Sequence, residues 1–286
     1  MVITAETAPK LSPIFEGKRG KLLFEFLVRL TGINHVNDTH QRVEDAGIAP
    51  GPDFAKAILD DVGVDFRIGN PERLSSLPEG PFIVIANHVY GHLDGIALVD
   101  ILGHVRPGSK VTVNEFLMWI SGLAPNFIPV NPITKEQKSV TATSINGIKS
   151  SMLQIRNGEP LAMFPSGAVA DLHPFRGWKL EEREWQDAAV HLIRKAHVPV
   201  VPIRFFDRNS WFYYLLGLID YRVRFARLFH ELYNKRGTHP RLGIGETISV
   251  AQQDAISDDA FKAFLCSSVY DMPLPDHFIL RSELWK

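Results

Sequence analysis

Five consecutive apolar residues, Phe82-Ile-Val-Ile-Ala86, stand between Pro81 and the polar pair Asn87-His88. A run so short and apolar at every position fits a strand buried on both faces, the condition of a parallel sheet covered by helices. It does not fit a half-solvated antiparallel strand, which alternates. Pro160-Leu-Ala-Met-Phe164 and Val198-Pro-Val-Val-Pro-Ile203 repeat the pattern. Ser109-Lys-Val-Thr-Val113, Asn126-Phe-Ile-Pro-Val130 and residues 242–250 add three further candidate strands. Helical periodicity fills the intervals: residues 96–102, then 139–156 with Ile145, Ile148, Met152 and Ile155 on one side and Gly158 as a stop. Trp185, Ala189, Leu192, Ile193 and Ala196 mark another helix. This alternation predicts an α/β fold, a mixed, largely parallel sheet flanked by helices.

Ahead of that alternation the pattern differs. Residues 1–17 carry no periodicity and read as a loose N-terminal tail. Residues 18–75 read as an N-terminal helical annex, and residues 76–286 as the α/β domain. The first annex helix, 18–30, would turn Leu22, Leu23, Phe26, Leu27 and Leu30 inward between flanking cations, and a second would start at Asp53 as its cap. A net charge near −1 gives no global nucleic-acid signature, so no nucleic-acid partner is expected. One cysteine, Cys266, excludes an internal disulfide and reads as a buried structural thiol. No apolar run approaches the roughly 20 residues of a membrane span, and the first residues lack a signal-peptide pattern. The expectation is a cytoplasmic protein, with any membrane contact peripheral and at the inner face.

In open α/β sheets, ligands and catalytic groups gather in loops at the carboxyl ends of strands. His88 leaves such a strand, and Asp94 follows six positions later across Gly91, with Gly95 next. A base at His88, its far nitrogen donating to Asp94, is the chemistry this spacing suggests; two glycines let the loop turn tightly. The same residues also read as a plain strand end followed by a helix cap. Strand 160–164 likewise ends in Phe164-Pro165-Ser166-Gly167, a small residue and a glycine at a strand's carboxyl end.

Taken together, Asn87-His88…Asp94, Phe127-Ile-Pro-Val-Asn131, Phe164-Pro-Ser-Gly167 and Val198-Pro-Val-Val-Pro202 resemble the four ordered blocks of the glycerolipid and lysophospholipid acyltransferase superfamily. The Gly91 spacer, with residues 209–219 and 231–237, is similar to the hemolysin-like branch that includes ornithine-lipid O-acyltransferases. The resemblance covers residues 18–250. It implies acyl transfer from an acyl thioester, on acyl carrier protein or coenzyme A, to the hydroxyl of a lyso-lipid in membrane lipid biosynthesis, with no bound cofactor. His88 would be the base and Asp94 its orienter. Asn87, Gly91, Gly95, Asn131, Phe164, Pro165, Ser166, Gly167 and Arg204 would line the substrate side, and amides near Gly167 or Gly95 would meet the oxyanion. Two positions depart from the family pattern: Ser166 stands where most relatives have Glu, and Asn131 where many have Arg. A neutral or amino-acid-headed acceptor is thus as compatible as a phosphate-headed one.

Other readings remain open. Ser166, His88 and Asp94 have the residue types of an esterase or thioesterase triad, although no Gly-x-Ser-x-Gly elbow surrounds Ser166. Loss of the usual Glu and Arg also fits a lipid-binding protein without catalysis. His88 and His92 lack a third metal ligand at convincing spacing. Residues 204–241 combine Arg204, Arg208, Arg222, Arg224, Arg227, Lys235, Arg236 and Arg241 with Trp211, Phe212, Tyr213, Tyr214 and Tyr221. They read either as an amphipathic surface helix or as a segment meeting an anionic membrane surface.

Overall fold

The computed structural model describes residues 16–131 and 142–285; the expected tail up to residue 15 and the expected helix start at 139–141 lie outside them. Three helices come first, α1 (Gly17–Thr31), α2 (Ile33–Asp45) and α3 (Pro52–Val62). Next are β1 (Arg67–Gly69), β2 (Ile83–Ala86), α4 (His92–Val105), β3 (Lys110–Asn114), β4 (Phe127–Val130), α5 (Ala142–Arg156) and β5 (Leu161–Met163). A hairpin, β6 (Asp171–His173) and β7 (Lys179–Glu181), leads to α6 (Asp187–Ala196) and β8 (Val200–Phe205). The chain continues through α7 (Trp211–Ile219), α8 (Tyr221–Asn234), β9 (Arg241–Ile244), α9 (Val250–Asp254), α10 (Asp258–Tyr270) and β10 (Phe278–Leu280).

Eight strands make one sheet in the order β10-β1-β9-β8-β2-β5-β3-β4. From β8 to β4 every neighbour is parallel. β9 runs against β8, β1 runs with β9, and β10 closes the edge antiparallel to β1. The sheet is therefore mixed and largely parallel. Side chains of β2 alternate between two cores: Ile83 and Ile85 join Leu161, Met163, Val200 and Phe261, while Val84 and Ala86 join Phe54, Phe66, Leu98 and Ile203. Both faces are dry, which is why β2 reads as unbroken apolar sequence. α4 packs against α3, α8 and β3 and is buried from Leu93 to Gly103, so its sequence is apolar all round.

Several sequence expectations are corrected here. α3 is capped by Gly51 with Pro52 opening the helix, and Asp53 sits inside the first turn, where its carboxylate pairs with His104. On α1, Leu22 and Leu23 are exposed and Phe24 is the buried one; the side chains of residues 26–31 lie outside the described residues. The strand expected over 242–250 ends at Ile244, because Ser249 and Gln252 form a capping box that starts α9. Trp185 precedes α6 instead of lying on it. β1 is an inner strand of the main sheet and α3 shares the main core, so the front helices pack into the same body as the rest.

Arg281, next to β10, is buried and clamps the end of the chain onto the helices. Nη1 donates to Asp100 on α4 at 2.8 Å, Nη2 donates to Asp60 on α3, and Asp65 lies 3.6 Å from Nε. Such a network fixes one arrangement of three segments more than it adds net stability.

Candidate active site

The carboxyl ends of β2, β5, β3 and β4 lie on one edge of the sheet and surround a cavity of about 820 Å³. Its wall is largely apolar, with Ile96, Leu117, Leu123, Phe127 and Val130 among the lining residues. His88 stands at this wall, two residues beyond β2.

Asp94 occupies the third position of α4 and is fully buried. Its Oδ2 accepts the Nδ1–H of His88 at 2.8 Å and the backbone amides of Val89, Tyr90 and Gly91 at 2.9, 2.9 and 3.0 Å. One oxygen thus caps the helix, folds the loop and orients the imidazole. With Nδ1 committed, Nε2 is the nitrogen left to meet a substrate. Phe164 stacks on the His88 ring at 4.3 Å and 26°. The His88 backbone is held as well, its amide donating to Glu182 Oε1 at 2.8 Å and its carbonyl accepting from Ala170 at 3.0 Å. Burial pushes the Glu182 carboxyl above the ordinary range.

Among the substrate-side residues expected from sequence, Gly91, Gly95, Phe164 and Gly167 line the cavity with His88. Gly91 must be glycine: it caps α4 at φ 84°, and a Cβ there would meet Leu228 at 2.8 Å. Asn87, Asn131, Pro165, Ser166 and Arg204 are not on the wall. Asn87 is buried and exchanges two hydrogen bonds with the backbone of Phe205, tying the end of β2 to β8. Asn131 donates to Glu115. The Pro165 carbonyl accepts from Gln186. Arg204 donates to the Met272 carbonyl and packs on Phe206, because its position in β8 turns it toward the segment after α10. Ser166 is buried and its hydroxyl donates to the Ala168 carbonyl, so the hydroxyl an esterase would need is turned into its own loop. The Gly167 amide is also committed, to the Phe164 carbonyl at 2.9 Å.

Four residues that sequence reading did not single out as site residues belong to the site. Glu182 holds the His88 loop from beneath; it follows β7 and sits in a run of charged residues that gives no hint of burial. Arg183, Tyr213 and Arg224 line the cavity. Arg224 pairs with Asp171, whereas Arg183 reaches Asp171 only at 4.0 Å. His92, the first residue of α4, is a cavity wall stacked on Phe229 at 4.9 Å. Burial and the nearby His88 depress its pKa to about 4, so it is neutral at pH 7.

The 204–241 segment is differently oriented from what its composition suggests. Four of its cations turn inward, Arg224 to Asp171, Arg241 to Asp207, and Arg227 and Lys235 toward Glu231, while Arg208 and Arg236 are exposed. Its exposed face on α7 and α8 is apolar, carrying Trp211, Phe212, Leu215, Leu218, Ile219, Val223 and Phe225. Among the described residues no helix is long and apolar enough to cross a membrane. Cys266 is half-buried against the second core, and burial raises its thiol pKa to about 11.

Comparison with known proteins adds three matches. A family described as "Acyltransferase" matches residues 3–265. A lyso-glycine lipid O-acyltransferase of Phocaeicola vulgatus is 29% identical over 241 residues, covering 81% of this chain and 82% of that protein. A lyso-glycine lipid O-acyltransferase of Bacteroides thetaiotaomicron is 27% identical over 227 residues, covering 77% and 79%.

Proposed function

The chain belongs to this acyltransferase family, and from that premise we propose that it moves a fatty acyl group from a thioester to the hydroxyl of a lyso-lipid. The observation that carries the reading is His88 on the wall of a large apolar cavity, with Nδ1 anchored to a buried carboxylate. An alcohol attacks a thioester slowly until a base takes its proton. His88 Nε2 removes that proton as the acceptor oxygen bonds to the thioester carbon. The tetrahedral intermediate then collapses, the carbon–sulfur bond breaks, and the imidazolium returns the proton to the departing thiolate. Amides of Ala168 and Val169, which line the cavity and make no hydrogen bond within the described residues, are the candidate donors to the oxyanion.

The acceptor is proposed to be amino-acid-headed. The relatives above carry the name lyso-glycine lipid O-acyltransferase, and a glycine headgroup ends in a carboxylate. Arg183 lines the cavity and, among the described residues, has no carboxylate closer than Asp171 at 4.0 Å, which supports a role for it in receiving that group. The donor is an acyl thioester of acyl carrier protein or coenzyme A. The apolar face of α7 and α8 flanks the cavity through Phe225 and Leu228, and it serves as the surface from which a lipid enters out of the membrane.

His88→Gln tests the reaction. With acyl-coenzyme A or acyl carrier protein thioester and a hydroxyl-bearing N-acylglycine, the unsubstituted protein should release thiol only when the acceptor is present. The variant should lose about 10²-fold to 10⁴-fold in rate with its circular dichroism unchanged. Full retained activity, or thiol release independent of acceptor, removes the reading.

A further inference from the structure

Tyr90, two residues past His88, lines not that cavity but a second, more open hollow of about 390 Å³. The hollow lies on the same edge of the sheet. Asp207 follows the carboxyl end of β8, and Arg67 and Arg241 open β1 and β9, which run the opposite way. Arg67 and Arg241 are register partners on these adjacent parallel strands. Two like charges so placed disfavour each other unless a counter-charge sits between them. Asp207 meets Arg241 through both carboxylate oxygens, while Arg67 and Arg208 form no ion pair among the described residues. Lys235 adds a largely buried ammonium over the Tyr90 ring, with its nearest carboxylate, Glu231, 3.8 Å away and shared with Arg227.

The floor carries a second, independent sign. Tyr90 is 2% exposed, and its hydroxyl has no hydrogen-bond partner among the described residues. Burial raises its pKa, so the phenol keeps its proton and is a donor. A buried unpaired hydroxyl beneath a ring of surplus cations is costly in an empty site and useful in a filled one.

We propose that this hollow is an anion site for a phosphorylated group, separate from the acyl-transfer cavity, with Tyr90, Lys235, Arg67 and Arg208 as donors. Donors converging from several directions suit a tetrahedral phosphate better than a flat carboxylate, which one guanidinium fork satisfies. Two sources carry that chemistry: the phosphate-bearing arm of a thioester donor, and a phospholipid headgroup. Binding does not depend on turnover, so the inference stands apart from the acyl-transfer reading.

The test uses the full chain and three probes: inorganic phosphate, coenzyme A, and phosphatidylglycerol vesicles set against phosphatidylcholine vesicles. Lys235→Gln with Arg208→Gln should weaken binding by about tenfold or more, and Tyr90→Phe, which keeps the edge contacts to Phe66 and Phe205, by several-fold. Loss confined to coenzyme A assigns the site to the donor arm, and loss confined to phosphatidylglycerol assigns it to a headgroup; either supports the site. Affinities for all three probes equal to those of the unsubstituted protein, in folded variants, overturn it. Arg208 is exposed, so its single variant carries the test if Lys235→Gln fails to fold.

Discussion

Phe164 lies over the face of His88 with ring centroids 4.3 Å apart. Asp94 holds the same imidazole at its edge, and the Glu182 carboxylate holds its backbone amide. The ring is therefore fixed in tilt and in tautomer before any substrate arrives, and the residue just past the carboxyl end of β5 is what presses on the histidine that follows β2.

Asp94 has separable roles in folding and in chemistry. Asp94→Asn keeps an oxygen for the amides of Val89, Tyr90 and Gly91 but removes the charge that steadies an imidazolium. A rate loss of about 10²-fold to 10⁴-fold is expected, with little change in the urea midpoint. Asp94→Ala strips all three amides of their acceptor and should also lower stability by about 1–3 kcal/mol. Chemical denaturation beside steady-state kinetics separates the two.

Gly91 and Gly95 should respond oppositely to alanine. At Gly91 the left-handed backbone and the 2.8 Å approach of Leu228 together predict a loss of about 1–3 kcal/mol, partly recovered by adding Leu228→Ala. Gly95 is helical with open space around its Cβ, so alanine should raise stability by about 0.5–1 kcal/mol while narrowing the cavity. Thermal melts of the three variants check both signs.

His92 links stability to pH. Its folded pKa of about 4 lies below the unfolded value, so above pH 6.5 neither state is protonated there and nothing is lost. As pH falls from 6.5 toward 4 the unfolded chain takes the proton first, and stability drops by on the order of 3 kcal/mol. Burial lowers His40 and His230 in the same direction. His92→Leu should therefore flatten the pH dependence of the denaturation midpoint in this window without abolishing it. An unchanged slope would contradict the assignment.

Arg183→Gln should raise the KM for a carboxylate-headed lyso-lipid by about tenfold or more, with kcat changed far less, because one charge-assisted contact is lost. A hydroxylated acceptor without the carboxylate should not distinguish variant from parent. Equal KM values for both acceptors in the two proteins would count against a headgroup role.

Leu218→Glu with Ile219→Glu places two charges on the apolar face of α7, where Ile219 is 80% exposed. Sedimentation with lipid vesicles should fall by at least about tenfold while the melting temperature barely moves, since exposed sites contribute little to folding. Unchanged vesicle binding would remove this face from membrane contact.

The inner strands were legible because β2, β5 and β8 are buried on both sides and so carry apolar residues without interruption. β1 and β10 were not: three residues each, they gain order only from their neighbours in the sheet. At the site, His88, Asp94, Gly91, Gly95, Phe164 and Gly167 were readable because a strand end forces them into one loop or onto the same edge. Asn87 and Ser166 share those loops, yet their side chains turn to backbone partners, a choice that spacing does not encode. Glu182 and Arg183 arrive from a hairpin nearly a hundred residues away in sequence from His88, and no local pattern distinguishes them from ordinary surface charges.

Ile68 lies between Leu242 on β9 and Ile279 on β10, and Arg281 then locks β10 to α3 and α4. A nascent polypeptide leaving the ribosome thus carries β1 without either neighbour until more than 170 further residues have emerged. Completion of this sheet edge is a late, non-local event, so cleavage between β9 and β10 should leave β1 as an exposed sheet edge while α3 stays packed in the main core.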